Sequence, residues 1–227
     1  MIETISLALK GAGWAFLPAV FLPLLYLIWP HSQRLDALCR GLVTLIDAVS
    51  YRIGEVIKWA MPLLVLSVAF SVFALSIFGL TWTKLSESAA YFHAATIMLG
   101  AAATLLAGQH VRVDIFHSHM SETARARVDL IGFYVFLLPV SLIILWKSQS
   151  FVTFGWQIFE GSNENDGIKG VFLLKTLIPA FCLMMIAQGL SISVRAALCL
   201  HGQTQPKRPD HTPPFFHDLS PEREAPR

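Results

Sequence analysis

His93 is the residue whose type and position best suit cofactor or proton chemistry. It is the only side chain that titrates near neutral pH between residues 88 and 109, a stretch without Asp, Glu, Lys or Arg. An ionisable side chain inside such an apolar segment indicates a haem ligand or a proton relay. His93 also lies close to Glu87, near one end of the segment, where a neutral histidine is easily accommodated. This position favours a neutral histidine without a chemical role over a haem ligand or proton relay.

Acidic and amide side chains form a second group between residues 148 and 170. They are of the oxygen-bearing types that bind calcium: Glu160, Asn163, Glu164, Asn165 and Asp166. Their spacing lacks the alternating carboxylates and late glutamate of a calcium-binding loop. We therefore expect a solvated loop rather than a metal site.

Charges of both signs lie between residues 110 and 129. They include Arg112, Asp114, Arg125, Arg127 and Asp129. In an extended backbone, Arg112 and Asp114 point to the same side, where they can pair with each other or with the later charges. One interpretation is an ion-pair latch that fixes a turn between two helices. The other is a docking surface for a partner.

No catalytic motif accompanies these groups. The sequence has no nucleophile elbow, zinc-protease motif or phosphate-binding lysine loop. The three cysteines, Cys39, Cys182 and Cys199, are too widely spaced for a metal or disulfide framework, and we interpret them as small apolar side chains. We therefore predict no catalytic residue, no cofactor and no metal, and the protein is not expected to be an enzyme.

The amino-acid composition indicates whether the surface of this protein faces water or lipid. Of 227 residues, 55% are hydrophobic and 14% are charged, whereas about 25% charged is usual in soluble domains. The formal net charge of +2 is too small for a nucleic-acid-binding protein. The lipid bilayer is therefore the first partner to consider.

Uncharged runs predict four transmembrane helices, at residues 59–83, 88–109, 130–146 and 176–194. About 20 helical residues cross the hydrocarbon core of a bilayer, and helix is required because lipid offers the backbone no hydrogen-bond partner. Residues 11–30 form a fifth uncharged run that contains three prolines. We predict a proline-bent fifth span there, with a peripheral or re-entrant segment as the alternative. The fold class is an all-α integral membrane protein.

Residues 31–58 have a different pattern. Apolar residues recur there at three- and four-residue steps: Leu35, Leu38, Leu42, Leu45, Ile46, Val49, Ile53, Val56 and Ile57. This periodicity predicts an amphipathic helix with most of its charges off the apolar stripe. The helix either lies in the membrane interface or braces a partner subunit along the membrane surface, and the two roles are compatible.

Small residues define one face of the second predicted span. Gly100, Thr104 and Gly108 are spaced by four, which predicts close packing of another helix. Pro139 and Pro179 lie inside the later spans and are expected to bend them.

Basic residues predict the orientation. Alternate connections and the tail collect 12 Lys and Arg on one side, against 5 on the other. Because cytoplasmic loops carry the excess of positive charge, residues 31–58 and 110–129 and the C-terminus are predicted to be cytoplasmic. Residues 201–227 contain six prolines and mixed charge, which predicts a disordered tail.

Five short blocks give the sequence a family resemblance. They are HVRVDIF at residues 110–116, RARVDLIG at 125–132, FLLP at 136–139, LKTLIP at 174–179 and QGLS at 188–191. In order and spacing they closely resemble the small membrane subunit, the Q-type component, of tripartite ATP-independent periplasmic (TRAP) transporters. The resemblance runs from about residue 35 to 200. The Arg-Tyr pair that the family often has after its first span is missing near Leu75, and the N-terminal span is additional.

The resemblance implies a bacterial inner-membrane transport system in three parts. A periplasmic receptor would capture an organic acid, a large M-type membrane subunit would perform sodium-coupled transport, and this chain would anchor the large subunit. It also implies partner-interface roles for residues in the blocks: His110, Arg112, Asp114, Arg125, Arg127, Asp129, Pro139, Lys175, Pro179, Gln188 and Gly189. Glu87 resembles the acidic residue that the family places before its second span, where it would contact the large subunit or the receptor.

The resulting organisation has four parts. Residues 1–30 form the extra span, 31–58 the interfacial helix, 59–200 the four-helix membrane domain and 201–227 the tail. The alternative function is a haem- or quinone-associated membrane anchor of a respiratory enzyme, with His93 and His110 as the haem ligands. About 17 residues of helix between them would span roughly 25 Å, which is too far for one haem.

Overall fold

The computed structural model describes residues 18–29, 32–108, 120–206 and 209. This part of the chain is mostly helical and contains no strand. The helices are α1 (Leu22–Ile28), α2 (Gln33–Ile57), α3 (Ala60–Phe78), α4 (Thr83–Leu106), α5 (Glu122–Gly132), α6 (Leu138–Gln157) and α7 (Val171–Leu200), with a π-helical turn, Phe133–Leu137, between α5 and α6. The all-α fold class is confirmed.

Four helical stretches of the described chain are long and apolar enough to cross a membrane. They are Gln33–Phe78, Thr83–Leu106, Glu122–Gln157 and Val171–Leu200. Each contains or overlaps one predicted span, so the prediction of four transmembrane helices is confirmed. The first stretch consists of α2 followed by α3, and the third of α5, the π-helical turn and α6.

The helix of the first predicted span ends earlier than the uncharged run does. We expected it to extend to about residue 83, but α3 ends at Phe78 because Gly79 adopts a left-handed conformation with φ of 63°. The amide of Leu80 donates to the carbonyl of Ala74 at 3.3 Å and so closes the helix end. A run of uncharged residues shows where a span can lie, but the glycine determines where the helix ends.

The two prolines predicted to bend the later spans have different surroundings. The π-helical turn lies directly before Pro139, which occupies the first turn of α6. Proline lacks an N–H and crowds the carbonyl four residues earlier, and a widened turn accommodates both effects. In α7 the helix continues through Pro179 without interruption.

The best-packed part of the molecule lies where α1, α2, the π-helical turn and the second half of α7 meet. Its buried apolar side chains are Val20, Tyr26, Cys39, Val43, Ile46, Phe133, Leu190, Val194, Ala197 and Leu198. Helix α7 packs against α1, α2, α4, α5 and α6, so it is the central helix. Gly189 allows this close packing, because a Cβ there would lie 2.6 Å from the Phe133 ring.

Some predictions fall partly outside the described residues. Only residues 18–29 of the predicted N-terminal span are described, so that span and the four-part division of the chain stay predictions. Most of the predicted disordered tail, and all of residues 109–119 between α4 and α5, also lie outside them.

Candidate functional site

A buried polar cluster joins α2 to α7. We call it the Asp47 cluster, and it consists of Asp47, Gln188, Ser191 and Arg195. Asp47 Oδ1 accepts hydrogen bonds from Gln188 Nε2 at 3.1 Å and from Ser191 Oγ at 2.7 Å. Asp47 Oδ2 accepts one from Arg195 Nη2 at 2.5 Å. The side chains of Asp47 and Arg195 are only 3% and 4% exposed, so this is an ion pair inside the protein.

Helix geometry explains how one carboxylate binds three side chains. Gln188, Ser191 and Arg195 follow at steps of three and four residues, which places them on one face of α7. Gln188 Oε1 and Arg195 Nε have no hydrogen-bond partner among the described residues. A buried ion pair with unsatisfied atoms contributes little net stability. Its clearest effect is to fix α2 at one position along α7.

Two arginines also hold the segment that follows α7. Arg195 Nη1 donates to the carbonyl of Pro206. Arg40 Nη1 donates to the carbonyl of Thr204 at 2.7 Å, while its Nε donates to Asp36 at 2.9 Å. The segment is therefore tied to both α2 and α7.

The second half of α2 packs closely on α4. A Cβ added to Gly54 would lie 2.6 Å from the Cβ of Ala103, and one added to Gly100 would lie 3.8 Å from Ile57. Both α4 residues belong to its last turns, just as the α7 residues of the Asp47 cluster belong to the second half of that helix. Helix α2 therefore lies along the end of the bundle at which α4 and α7 finish.

A second polar cluster lies at the opposite ends of these helices. We call it the outer-loop cluster, and it consists of Lys84, Glu87, Glu160, Ser162, Asp166, Ile168 and Lys175. Glu87 Oε2 accepts a hydrogen bond from the backbone amide of Ile168 at 2.6 Å, and its Oε1 accepts one from Ser162. Lys84 pairs with Asp166 at 2.8 Å. The loop between α6 and α7 is thereby bound to the first turns of α4.

Lys175 joins the same loop to α7. Its Nζ pairs with Glu160 and lies 3.8 Å from the centre of the Phe151 ring. Nearby, Trp156 Nε1 donates to Thr176 Oγ1 at 2.8 Å. Lys175 and Glu87, which the resemblance links to partner contact, both bind the chain's own loop in this structure.

The remaining residues of the predicted interface are dispersed. His110, Arg112 and Asp114 lie outside the described residues, so the predicted ion-pair latch does too. Three others are on α5: Arg125, Arg127 and Asp129. The three residues of the predicted packing stripe have different surroundings. Gly100 lies next to α2, and Gly108 follows α4 with φ of 71°. Thr104 is exposed, and its Oγ1 donates a hydrogen bond to the carbonyl of Ala101.

The groups considered for metal or haem chemistry are not gathered in one place. His93 lies on an exposed side of α4. Within the described ranges, no group of three or more His, Cys, Asp or Glu side chains is arranged to hold a metal ion. Glu160 and Asp166 of the acidic loop are instead paired with lysines.

The Asp47 cluster was missed in the sequence. By sequence, Asp47 is one of several charges off the apolar stripe of residues 31–58, and Arg195 is one of the basic residues that predict the orientation. A signal was available, because Gln188, Ser191 and Arg195 form a polar stripe on an otherwise apolar helix. Such a stripe in a membrane helix predicts a buried polar partner.

Among the described helices, α3 exposes the most large apolar side chains. It packs mainly on α4, through Ser67 and Ala74. Its other sides expose large apolar side chains along its whole length: Met61, Leu63, Val65, Leu66, Val68, Phe70, Val72, Phe73, Leu75, Ile77 and Phe78. In a membrane protein, such a surface faces lipid or another subunit.

Comparison with protein families agrees with this arrangement of membrane helices. The family model described as "Tripartite ATP-independent periplasmic transporters, DctQ component" matches residues 64–200. The chain belongs to this family. The DctQ component is part of a transporter, not an enzyme family, so this protein is a multi-pass TRAP small permease subunit.

The matched range of the DctQ component covers part of the site. It begins inside α3 and ends with α7, so it includes Arg195 and the outer-loop cluster. Helix α2 and Asp47, which the resemblance included from about residue 35, lie outside it. Neither curated proteins nor solved structures gave a match to this chain.

Proposed function

We propose that this small permease subunit is an immobile scaffold for the large membrane subunit of a TRAP transporter. The large subunit would carry out sodium-coupled uptake of an organic acid that a periplasmic receptor delivers. This chain would widen and anchor the complex in the inner membrane, with its C-terminus in the cytoplasm, and would contribute no substrate ligand.

The exposed surface of α3 is the observation that carries the proposal. Val65 and Val72 lie on the side of α3 away from Ser67 and Ala74, and they are 59% and 58% exposed. A large subunit packed on this side would cover apolar side chains that the chain itself leaves open. We therefore assign α3 as the contact with the large subunit.

The polar side chains support a scaffold rather than a transport pathway. Asp47, Gln188, Ser191 and Arg195 bind one another, and Lys175 binds Glu160. Transport sites of secondary transporters are usually built from interrupted helices near the middle of the membrane. Here α7 is continuous through Pro179, and its buried polar groups hold neighbouring helices.

The first test is co-purification with the large subunit of the same transport system. We expect Val65→Trp/Val72→Trp to weaken the affinity for the large subunit by about tenfold, which corresponds to about 1.4 kcal/mol of binding free energy, and so to reduce its recovery. Val140→Trp is the matched control, because Val140 is a similarly exposed valine on α6. Unchanged recovery with the α3 variant would exclude α3 as the contact.

The second test concerns the scaffold role itself. Cells that lack this subunit should lose uptake of the acid bound by the receptor, while the receptor's affinity for that acid should not change. Full uptake without the subunit would reject the proposal. Sodium-driven transport of an organic anion by liposomes that contain only this chain would reject it as well.

A further inference from the structure

Helix α2 has an apolar surface that the rest of the chain does not cover. The predicted apolar stripe is divided in the structure: Ile46 is buried in the core, and Leu35 and Leu42 are partly buried against that core. The other part faces outward, with exposures between 48% and 74%: Leu38, Leu45, Val49 and Val56. We call these four residues the outer stripe. Steps of four and seven residues place them on one side of the helix.

The cations of α2 differ in whether they are paired. Arg40 pairs with Asp36, and Lys58 pairs with Glu55. Arg34 and Arg52 are exposed, and in the described part of the chain neither has an ion pair or hydrogen bond through its side chain. They are available to an anion from outside the protein.

Arg34 and Arg52 also share a position relative to the outer stripe. A separation of 18 residues is about five helical turns, so the two guanidinium groups extend from the same side of α2. Leu38 and Val56 each follow one of them by four residues, which places each arginine beside the stripe. The helix thus presents a row of apolar side chains bordered by two unpaired cations.

The position of α2 brings this row to the level of the lipid headgroups. Its contacts with Gly100 and Ala103 of α4, and with Gln188 to Arg195 of α7, all lie near one end of the membrane-crossing helices. At that level, one side of a helix can meet acyl chains while its arginines meet phosphate groups.

We propose that α2 binds anionic phospholipid, with the outer stripe against the acyl chains and Arg34 and Arg52 on the headgroup phosphates. Arginine suits this role because its planar guanidinium donates two parallel hydrogen bonds to a phosphate. Each basic residue near an anionic membrane surface strengthens binding by about fivefold. This inference does not depend on the scaffold role.

The test uses the full-length chain in detergent micelles, supplied with dioleoyl-phosphatidylglycerol or dioleoyl-phosphatidylcholine. We expect phosphatidylglycerol to remain bound in native mass spectra and to raise the unfolding temperature more than phosphatidylcholine does. Arg34→Gln/Arg52→Gln should weaken phosphatidylglycerol binding by about 25-fold, whereas Arg34→Lys/Arg52→Lys should keep part of it. Inorganic phosphate at the same concentration should have no comparable effect.

Lys58→Gln, compared with Arg52→Gln, is the matched control. It removes one positive charge from the same helix, but on a cation that is already paired with Glu55. Equal losses with these two single variants, or full binding by the Arg34→Gln/Arg52→Gln protein, would overturn the proposal. If inorganic phosphate stabilised the protein as much as phosphatidylglycerol does, the site would bind anions in general and not phospholipid in particular.

The complex with the large subunit provides a final check. If lipid occupies the outer stripe, the purified complex should bind phosphatidylglycerol with the same dependence on Arg34 and Arg52. Loss of that dependence in the complex would show that the large subunit, not lipid, covers this side of α2.

Discussion

The Asp47 cluster and the outer-loop cluster use similar residues in different surroundings. Both join segments far apart in sequence through carboxylates and basic side chains, 148 residues apart for Asp47 and Arg195 and 82 residues apart for Lys84 and Asp166. The first pair is 3% and 4% exposed, whereas Lys84 and Asp166 are 62% and 73% exposed. The same kind of ion pair is therefore shielded from water at Asp47 and Arg195 and open to water at Lys84 and Asp166.

This difference in solvent exposure determines how much it costs to break each ion pair. Removing one partner of a buried pair leaves a charge that water cannot reach, so the remaining charge is strongly destabilising. An exposed pair exchanges its partner for water at little cost. We infer that the Asp47 cluster keeps α2 in one place on the bundle, while the Lys84–Asp166 pair of the outer-loop cluster can open and re-form.

Asp47→Leu should have the largest effect, because it leaves Arg195 buried without a carboxylate. We expect a loss of about 3–5 kcal/mol in the free energy of unfolding, measured by thermal or denaturant unfolding of the purified protein. The double variant Asp47→Leu/Arg195→Met should recover much of this stability, since it removes both charges. If Asp47→Leu alone is as stable as the original protein, the cluster does not hold α2.

Gly54→Ala tests the same side of the molecule without changing a charge. The new Cβ would lie 2.6 Å from the Cβ of Ala103, so α2 and α4 must move apart, and we expect a loss of about 1–3 kcal/mol. Gly41→Ala in the same helix is the control, because a Cβ there meets nothing within 4 Å. Equal stability of the two variants would show that α2 does not pack closely on α4.

Lys175→Met should have an intermediate effect. The substitution keeps the apolar part of the side chain but removes the ion pair with Glu160, and the two side chains are 10% and 28% exposed. We expect a loss of about 1.5 kcal/mol, as for a hydrogen bond between charged groups with partial access to water. Hydrogen exchange should increase in the loop between α6 and α7 and not in α2. Faster exchange in α2 would contradict the independence of the clusters.

Lys84→Ala should have the smallest effect. Because Lys84 and Asp166 are both largely exposed, we expect a change of about 0–1 kcal/mol, which high salt should abolish. The measurement is the unfolding temperature at low and high ionic strength. A loss as large as that of Asp47→Leu would remove the contrast between the two clusters.

The sequence predicted the membrane helices better than the contacts between them. Spans follow from runs without charge, because a bilayer excludes unpaired charges at any position along the run. The early end of α3 at Gly79 was not anticipated, since it depends on one backbone conformation. The pairing of Asp47 with Arg195 depends on which turn of α7 lies beside α2, and periodicity within one helix cannot give that relation between two helices.

The glutamate before the second span illustrates the same limit. Residue 87 is acidic in the sequence, and the family resemblance predicts that it contacts another protein. In the structure, Glu87 accepts hydrogen bonds from Ser162 and the amide of Ile168, and its contact with another protein stays a prediction. These partners belong to a loop about 80 positions further along the chain, which only the folded arrangement brings to the start of α4.

The link between Asp47 and Arg195 also has a consequence for biosynthesis. Ribosomes make α2 well before α7, since 148 residues separate the two ends of the link. Until α7 enters the bilayer, the nascent chain carries an aspartate without its arginine, and α2 can pack on α4 but not on α7. Formation of the Asp47–Arg195 ion pair is therefore expected as a late step of maturation, and it distinguishes subunits that contain α7 from shorter translation intermediates.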